Sequence, residues 1–256
     1  MELFISFVLL ALGFVMLVKG ADVFVDGASS IAGGLGIPQL VIGLTVVAMG
    51  TSAPEAAVSI AAALKGSADI TIGNIVGSNI LNVLIILGLT AVILPVAISK
   101  SAARIDLPFM IFITLLLLFL GADGTVGLTD GIILSSVFAI YLTYLFIAAK
   151  KGKIADNTHV KKCKLWQSAL KTLLGLALII FGSNFAVDAA SAIARAFGMT
   201  ERFIGLTVVA LGTSLPELFT SVSAAKKGNA DIAIGNIIGS NIFNILFVVG
   251  VSALIV

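Results

Sequence analysis

Two glutamates stand beside prolines within strongly apolar stretches of this chain. Glu55 closes the sequence GTSAPE, and Glu217 closes GTSLPE. An ionisable side chain in such surroundings is expensive to bury, so each glutamate is a candidate functional residue. The adjacent proline lacks a backbone N–H, so the carbonyl four residues earlier, at Gly50 or Gly212, loses its helical partner and needs another donor or a cation. The pattern predicts two broken helices, each with free carbonyl oxygens beside a carboxylate.

Hydroxyl and amide side chains accompany both glutamates. Thr51 lies four residues before Glu55 and so shares its helix face, and the second copy repeats this spacing with Thr213. Serine hydroxyls lie close by in both copies, at Ser52 and Ser214. The next apolar stretch carries polar residues at four-residue intervals: Asn74, Ser78 and Asn82, then Asn236, Ser240 and Asn244. Carboxylate, carbonyl, amide and hydroxyl oxygens are hard ligands, which suit Ca2+ and Na+.

Each of these features also has a purely structural interpretation. The proline could kink a helix whose neighbouring Thr and Ser relieve the strain, with the glutamate protonated or paired. The polar stripe could serve only as interhelical hydrogen bonding, an alternative with most weight at Asn74, Asn79, Asn236 and Asn241. Because the Pro-Glu pattern occurs twice, we favour ion binding at the glutamates.

Two further features of the same stretches concern helix packing. Small-xxx-small spacing, which lets helix backbones approach closely, occurs in both copies: Gly73 and Gly77, then Gly235 and Gly239. Acidic residues outside the signature motifs are interpreted as packing contacts or pathway lining at Asp26 and Asp188. Asp69 and Asp231 fit charges at helix N-termini.

The elements that must position these residues are membrane helices. Hydrophobic residues make up 59% of the 256-residue chain, charged residues 11%, and the mean hydropathy is +1.20, values that exclude an ordinary soluble domain. Strand-like alternation is absent, so we predict an all-α polytopic membrane protein. Eight stretches approach the roughly 20 apolar residues of a span: 3–32, 39–64, 70–94, 107–121, 128–149, 168–196, 203–225 and 232–256.

An internal duplication organises these spans. GLTVVAMGTSAPE at 43–55 returns as GLTVVALGTSLPE at 205–217, and GNIVGSNILNVL at 73–84 returns as GNIIGSNIFNIL at 235–246, both at an offset of 162 residues. Five spans separate equivalent positions, so the second copy must enter the membrane the opposite way up, as in inverted-repeat secondary transporters. We expect three regions: a first repeat of five spans (1–149), a basic cytoplasmic loop (150–167) and an incomplete second repeat of three spans (168–256).

Basic residues predict the orientation of the chain. Seven of the 15 Lys and Arg residues lie between Lys150 and Lys171, which places this loop in the cytoplasm under the positive-inside rule. The N-terminus then lies outside, with Lys65 outside and Lys227 inside. The expected location is the plasma membrane. His159 and Cys163, the one histidine and the one cysteine, fall in the basic loop and not in the spans.

GTSAPE and GTSLPE, paired with GNIVGSNILN and GNIIGSNIFN, resemble the two α-repeats of the calcium/cation antiporter superfamily, on the sodium/calcium exchanger side. The resemblance implies ten spans, of which eight are recognised here. It implies that Glu55 and Glu217 are central carboxylates shared by Ca2+ and Na+, and that the backbone carbonyls of Thr51 and Thr213 complete the Ca2+ site. Flanking Na+ sites would use the carbonyls of Ala48 and Ala210 and the hydroxyls of Ser52, Ser214, Ser78 and Ser240. Asn82 and Asn244 would lie at the middle of the site, where such exchangers often carry Asp in one of the two positions.

The resemblance implies a secondary antiporter, not an enzyme, that exchanges Ca2+ for Na+ by alternating access, with the first and sixth spans sliding against the core. Two glutamates supply a charge of −2, which one Ca2+ or two to three Na+ would offset. Because both middle residues are Asn, H+/Ca2+ exchange and K+-dependent Na+/Ca2+ exchange remain alternatives, and a membrane assembly subunit is a more distant one. No phosphate-binding loop, HExxH or G-x-S-x-G is present, so we expect no covalent cofactor. The expected partners are Ca2+, Na+ and the lipid bilayer, and no nucleic acid.

Overall fold

The computed structural model describes residues 2–66, 68–93, 95, 97–150, 164–200, 204, 207, 208 and 210–255, and all regular elements in that part of the chain are helices. The first repeat supplies α1 (Glu2–Leu35), α2 (Gln39–Thr51), α3 (Ala53–Leu64), α4 (Ala68–Leu81, continued by a π-helical segment Asn82–Ile86 and by Leu87–Ile93), α5 (Ala102–Asp123) and α6 (Leu128–Lys150). The second supplies α7 (Leu165–Ala196), α8 (Ala210–Thr213), α9 (Leu215–Lys226) and α10 (Ala230–Phe243, continued by a π-helical segment Asn244–Val249 and by Gly250–Ile255). The predicted all-α fold is confirmed.

Most of these helices are long enough to cross a membrane. Within the described residues, six helices pass on length and composition: α1, α4, α5, α6, α7 and α10. The pair α2 and α3 passes together as one span bent by 52°, which makes seven. The eighth predicted span, 203–225, includes positions outside the described residues, and α8 and α9 represent it. Residues 151–163 of the basic loop also lie outside the described residues, so its cytoplasmic placement stays a prediction.

Glycines bring α1 and α7 into close contact along their length. A Cβ atom added to Gly13 would lie 2.8 Å from the Gly182 carbonyl oxygen, and one added to Gly27 would lie 3.0 Å from the Ser168 carbonyl oxygen. The residue numbers of the contacts therefore decrease along α7 as they increase along α1, so the two helices run antiparallel. Because α1 and α7 are equivalent in the duplication, their antiparallel packing confirms that the second repeat is inverted.

Helix α10 forms the centre of the molecule. In its most apolar stretch 83% of the residues are buried inside the protein, against 28% for its counterpart α4. Helix α2 packs on one side of it, where a Cβ atom added to Gly235 would lie 2.9 Å from the Gly43 Cα atom. Helix α6 packs on another side, where a Cβ atom added to Gly131 would lie 2.8 Å from the Gly250 carbonyl oxygen. These approaches are possible only because the residues in contact carry no side chain.

The small-xxx-small motif has different surroundings in the two copies. Gly235 and Gly239 on α10 face α2, and a Cβ atom on Gly239 would lie 2.6 Å from the Leu44 carbonyl oxygen. At Gly73 and Gly77 on α4, an added Cβ atom would meet no described residue within 4 Å. Close packing through this motif is therefore seen for the second copy and not for the first.

Candidate ion-binding site

A helix break in each repeat brings a glutamate to the start of a helix. Between α2 and α3, Ser52 leaves the helical conformation with φ −83° and ψ 7°, and the chain bends by 52°. Ser214 also leaves the helical conformation, between α8 and α9, with φ −91° and ψ 2°. The prolines occupy the first turns of α3 and α9, a position that proline favours, and Glu55 and Glu217 lie in those turns. The two predicted breaks are therefore present, and each glutamate sits at the positive end of a helix dipole.

One carbonyl freed by a proline has a new partner. The Ser183 hydroxyl on α7 donates a hydrogen bond of 2.8 Å to the Gly212 carbonyl oxygen. This contact supplies the donor that the proline removes. The equivalent of Ser183 in the first repeat is Ala21, which has no hydroxyl. Sequence reasoning missed Ser183 because its partner lies on a different span; its one signal was a small polar residue within an apolar helix.

The two carboxylates receive hydroxyl groups from the opposite repeat. Glu55 and Glu217 are each only 1% exposed. The Ser52 hydroxyl donates to Glu217 Oε1 at 2.7 Å, and the Ser214 hydroxyl donates to Glu55 Oε1 at 3.5 Å. The Ser78 hydroxyl also donates to Glu55 Oε1, at 3.5 Å. The repeats therefore meet at the glutamates.

Asparagines one helix away hold the backbone of each glutamate. Asn74 Nδ2 donates to the Glu55 carbonyl oxygen at 3.3 Å, and Asn236 Nδ2 donates to the Glu217 carbonyl oxygen at 3.3 Å. The Thr51 hydroxyl donates to Asn236 Oδ1 at 3.0 Å and to the Ala48 carbonyl oxygen at 3.2 Å. These bonds fix the starts of α3 and α9, so Asn74 and Asn236 act in helix packing, the structural alternative given for them above.

The middle positions of the site lie where the helices change geometry. Asn82 and Asn244 are each 1% exposed, and each begins a π-helical segment. Such segments recur at functional sites because they re-aim side chains. Asn82 lies one turn beyond Ser78 on the same helix face, so it continues the line of oxygens that starts at Glu55.

Four buried oxygens of this centre have no hydrogen-bond partner among the described residues: Glu55 Oε2, Glu217 Oε2, Asn82 Oδ1 and Asn244 Oδ1. The hydroxyl of Ser240, the equivalent of Ser78, is also buried and without a partner there. Each unsatisfied buried acceptor costs about 1–3 kcal/mol. A cation bound between the repeats would satisfy all four acceptors, because carboxylate and amide oxygens are the ligands that Ca2+ and Na+ prefer. No group of three or more His, Cys, Asp or Glu that could hold a metal occurs in the described chain, so a cation bound here would also need neutral oxygen ligands.

Two predicted ligands lie at the edge of this centre and are less buried than their equivalents. Ala210 is exposed and Thr213 is half-buried, whereas Ala48 and Thr51 are buried. The Thr213 hydroxyl donates to the Ala210 carbonyl oxygen of its own helix at 3.2 Å. The structure therefore links Ser214 and Ser78 to Glu55, and Ser52 to Glu217, by hydrogen bonds. It buries Ser240, Asn82 and Asn244 on the adjoining helices and leaves α8 at the edge of the centre.

Acidic residues outside the signature motifs make structural contacts. Asp26 pairs with Lys227 at 2.7 Å, and the Ser223 hydroxyl donates to Asp22 at 2.6 Å, which joins α1 to α9. This favours the packing interpretation of Asp26. Sequence reasoning missed Asp106, which is buried and accepts a hydrogen bond of 2.9 Å from the Tyr141 hydroxyl. It lies outside both signature motifs, so no repeated pattern signalled it.

Comparison with known proteins identifies the family. A family model described as sodium/calcium exchanger protein matches residues 5–147 and 168–256. The chain is 41% identical to the putative antiporter CaxA of Alkalimonas amylolytica over 98% of this chain and 81% of that protein. It is 36% identical to the sodium/calcium exchanger MaX1 of Methanosarcina acetivorans, over 98% and 83% of the two chains. A structure of the sodium-calcium exchanger NCX_Mj soaked with zero Na+ and Ca2+ matches with a TM-score of 0.88 at 34% identity, over 99% of this chain and 83% of that one. This chain belongs to the sodium/calcium exchanger family of membrane cation antiporters.

Proposed function

We propose that this chain exchanges Ca2+ for Na+ across a membrane by alternating access. The observation that carries the proposal is the set of four buried acceptor oxygens, two from each repeat, that have no hydrogen-bond partner among the residues that the structure describes. Glu55 and Glu217 are the shared carboxylates in this proposal. The carbonyls of Thr51 and Thr213 complete the Ca2+ site, and Asn82 and Asn244 lie between the flanking sites. Those flanking Na+ sites use Ala48, Ala210, Ser52, Ser214, Ser78 and Ser240.

Competition for the same oxygens couples the two ion flows. Two carboxylates carry a charge of −2, which one Ca2+ offsets, and the same oxygens bind two or three Na+ at overlapping positions. Because either ion must leave before the other enters, transport of one requires return of the other. The ion site opens first to one side of the membrane and then to the other as α1 and α7 slide against the remaining helices. The N-terminus lies outside the plasma membrane.

Proton exchange is the second candidate for the coupling ion. With amides at both middle positions, the centre contains two carboxylates, and two protons would neutralise it as well as Na+ does. The protein CaxA is named only as a putative antiporter, and its name specifies no coupling ion.

Ca2+ flux in proteoliposomes distinguishes these functions. Purified protein is reconstituted, and 45Ca2+ uptake is measured with Na+, K+ and H+ gradients imposed one at a time. We expect an outward Na+ gradient alone to drive uptake. Uptake driven only by a proton gradient would replace Na+ by H+ in the proposal, and absence of uptake under all three gradients would reject antiport of Ca2+.

A further inference from the structure

We propose that Asn79 and Asn241 are positioning residues, which determine that the oxygen and not the nitrogen of the Asn244 and Asn82 amides faces the bound cation. This inference rests on the ion site proposed above. It concerns two residues that ligate nothing themselves, and whose contacts run between the repeats.

An amide at the middle of a cation site has two ends of similar shape. Its Oδ1 atom accepts and binds cations, whereas its Nδ2 atom carries two donor hydrogens that repel them. Rotation about the last side-chain bond exchanges the two ends. A carboxylate has no such difference, because both ends are oxygen. With Asn at both middle positions, this site needs a second set of contacts to select the orientation.

The Asn244 amide is oriented through Asn79. Asn79 Nδ2 donates a hydrogen bond of 3.3 Å to the backbone carbonyl oxygen of Asn241. A backbone carbonyl only accepts, so it fixes the nitrogen of Asn79 on that side and the oxygen on the other. Asn79 Oδ1 then accepts from Asn244 Nδ2 at 3.1 Å. The Asn244 Oδ1 atom is left buried, without a partner among the described residues.

The Asn82 amide is oriented through Asn241 in the same way. Asn241 Nδ2 donates to the Met110 sulfur at 3.5 Å, and a thioether has no hydrogen to give. Asn241 Oδ1 therefore faces Asn82 and accepts from Asn82 Nδ2 at 2.9 Å. The Asn82 Oδ1 atom is left buried and unpartnered within the described chain. Both hydrogen-bond chains thus begin at a group that can only accept, which fixes the direction of every amide along them.

The arrangement is reciprocal between the repeats. Asn79 and Asn241 occupy equivalent positions in the duplication, and each orients an amide of the opposite repeat. Asn74 and Asn236 differ from them, because they bind glutamate backbone and not an amide of the ion centre. Residues of the same type on the same helices therefore have separate roles, and Asn74 offers a matched control.

A double-mutant cycle on the full chain tests the role. The measurement is the apparent Kd for 45Ca2+ of purified protein carrying Asn241→Ala, Asn82→Asp or both. Asn241→Ala removes the acceptor that holds the Asn82 nitrogen and keeps the backbone carbonyl that anchors Asn79. We expect about a tenfold loss of Ca2+ affinity with Asn82 present, as for a lost hydrogen bond to a buried polar group. With Asn82→Asp the loss should fall to about twofold or less, because a carboxylate presents oxygen in either orientation.

Equal losses in both backgrounds would mean that Asn241 acts only in packing, and would overturn the positioning role while leaving the ion site in place. Asn74→Ala is the control, since its effect should be the same with Asn82 or Asp at that position. Should Asn241→Ala not fold, the equivalent cycle of Asn79→Ala with Asn244→Asp makes the same test. A folded parent protein that binds no Ca2+ would overturn the proposed function, and the positioning role with it.

Discussion

The two copies of the signature motif have nearly identical sequences and different surroundings. On α10, Ile242 and Leu246 are fully buried, at 0% exposure each, whereas their equivalents on α4, Ile80 and Leu84, are 53% and 67% exposed. Gly239 packs against α2, whereas an added Cβ atom at the equivalent Gly77 would have no neighbour within 4 Å in the described part of the chain. The helix motif supplies the same polar side chains to the site in both cases. Its burial depends on which neighbours pack against it.

The neighbours explain the difference. Helices α5 and α6 pack against α10, through contacts such as Asn241 with Met110 and Gly131 with Gly250. The side of the site formed by α2 and α10 is therefore tightly packed. Helix α8, which carries Ala210 and Thr213, lies at the edge of the side formed with α4. The duplication specifies the ligands, and the helices that pack against each copy specify how tightly that copy is held.

The largest expected effect comes from the carboxylates that both halves share. Glu55→Gln and Glu217→Gln should each abolish Ca2+ transport with little loss of folded protein. Removing one of two charges leaves a divalent ion under-compensated in a low-dielectric site, which weakens binding by about 3–5 kcal/mol. The measurement is 45Ca2+ flux in proteoliposomes, with folding checked by size-exclusion chromatography. Near-normal flux in either variant would remove that glutamate from the site.

The effect of an added methyl group on stability should differ between the tightly packed α10 and the loosely packed α4. Gly239→Ala places a Cβ atom 2.6 Å from the Leu44 carbonyl oxygen, and we expect it to destabilise the protein by about 1–3 kcal/mol through overpacking. Gly77→Ala is the matched control at the equivalent position, where no described residue lies within 4 Å of an added Cβ atom, and should be neutral or slightly stabilising. Thermal unfolding in detergent measures both. Equal losses would show that α4 is packed as tightly as α10 in solution.

The inverted relation predicts opposite labelling of equivalent lysines. Lys65 and Lys227 directly follow α3 and α9, at matching positions in the two repeats. Cysteine reporters at these positions, in a background without Cys163, should react from the outside and the inside of the membrane respectively. A membrane-impermeant thiol reagent applied to each side makes the measurement. Labelling of both from one side would contradict the topology.

A charge at the middle positions should make Ca2+ binding sensitive to acid. Asn244→Asp adds a third carboxyl group near Glu55 and Glu217 with little change of shape, and like charges at close range lead one group to bind a cation or take up a proton. We expect the variant to remain competent for exchange and to lose Ca2+ affinity as the pH falls from about 8 to 6, where an isolated Asp would stay ionised. Asn82→Asp should behave similarly. Identical pH profiles for the parent and both variants would place these asparagines away from the ion.

The smallest expected effect concerns the ion pair on one side of the molecule. Asp26 pairs with Lys227 at 2.7 Å with 59% of the Asp26 side chain exposed, whereas the equivalents Asp188 and Lys65 form no ion pair in the described chain. Asp26→Asn should therefore lower stability by no more than about 1 kcal/mol. Asp188→Asn, the matched control, should have no measurable effect. A larger loss from Asp188→Asn would indicate that its pairing exists in another conformation.

Much of the fold and of the candidate site could be predicted from the sequence, because the causes are local. Proline places the breaks at Ser52 and Ser214, and the repeat length requires inversion. The unequal burial of Ile80 and Ile242 could not be predicted, because it depends on which helices pack against each copy. The Ser183 contact and the orientation of the Asn82 amide could not be predicted either, since each depends on a group more than 25 residues away in the chain.

Direct Ca2+ binding tests the central claim, that oxygens from both repeats form one shared cation centre. 45Ca2+ is titrated into the purified protein at several Na+ concentrations, with Glu55→Gln and Glu217→Gln as the two single-repeat variants. We expect one saturable Ca2+ site per chain, with Ca2+ displaced competitively by Na+ and with binding lost in both variants. Ca2+ binding that Na+ does not displace, or that survives loss of either glutamate, would contradict it.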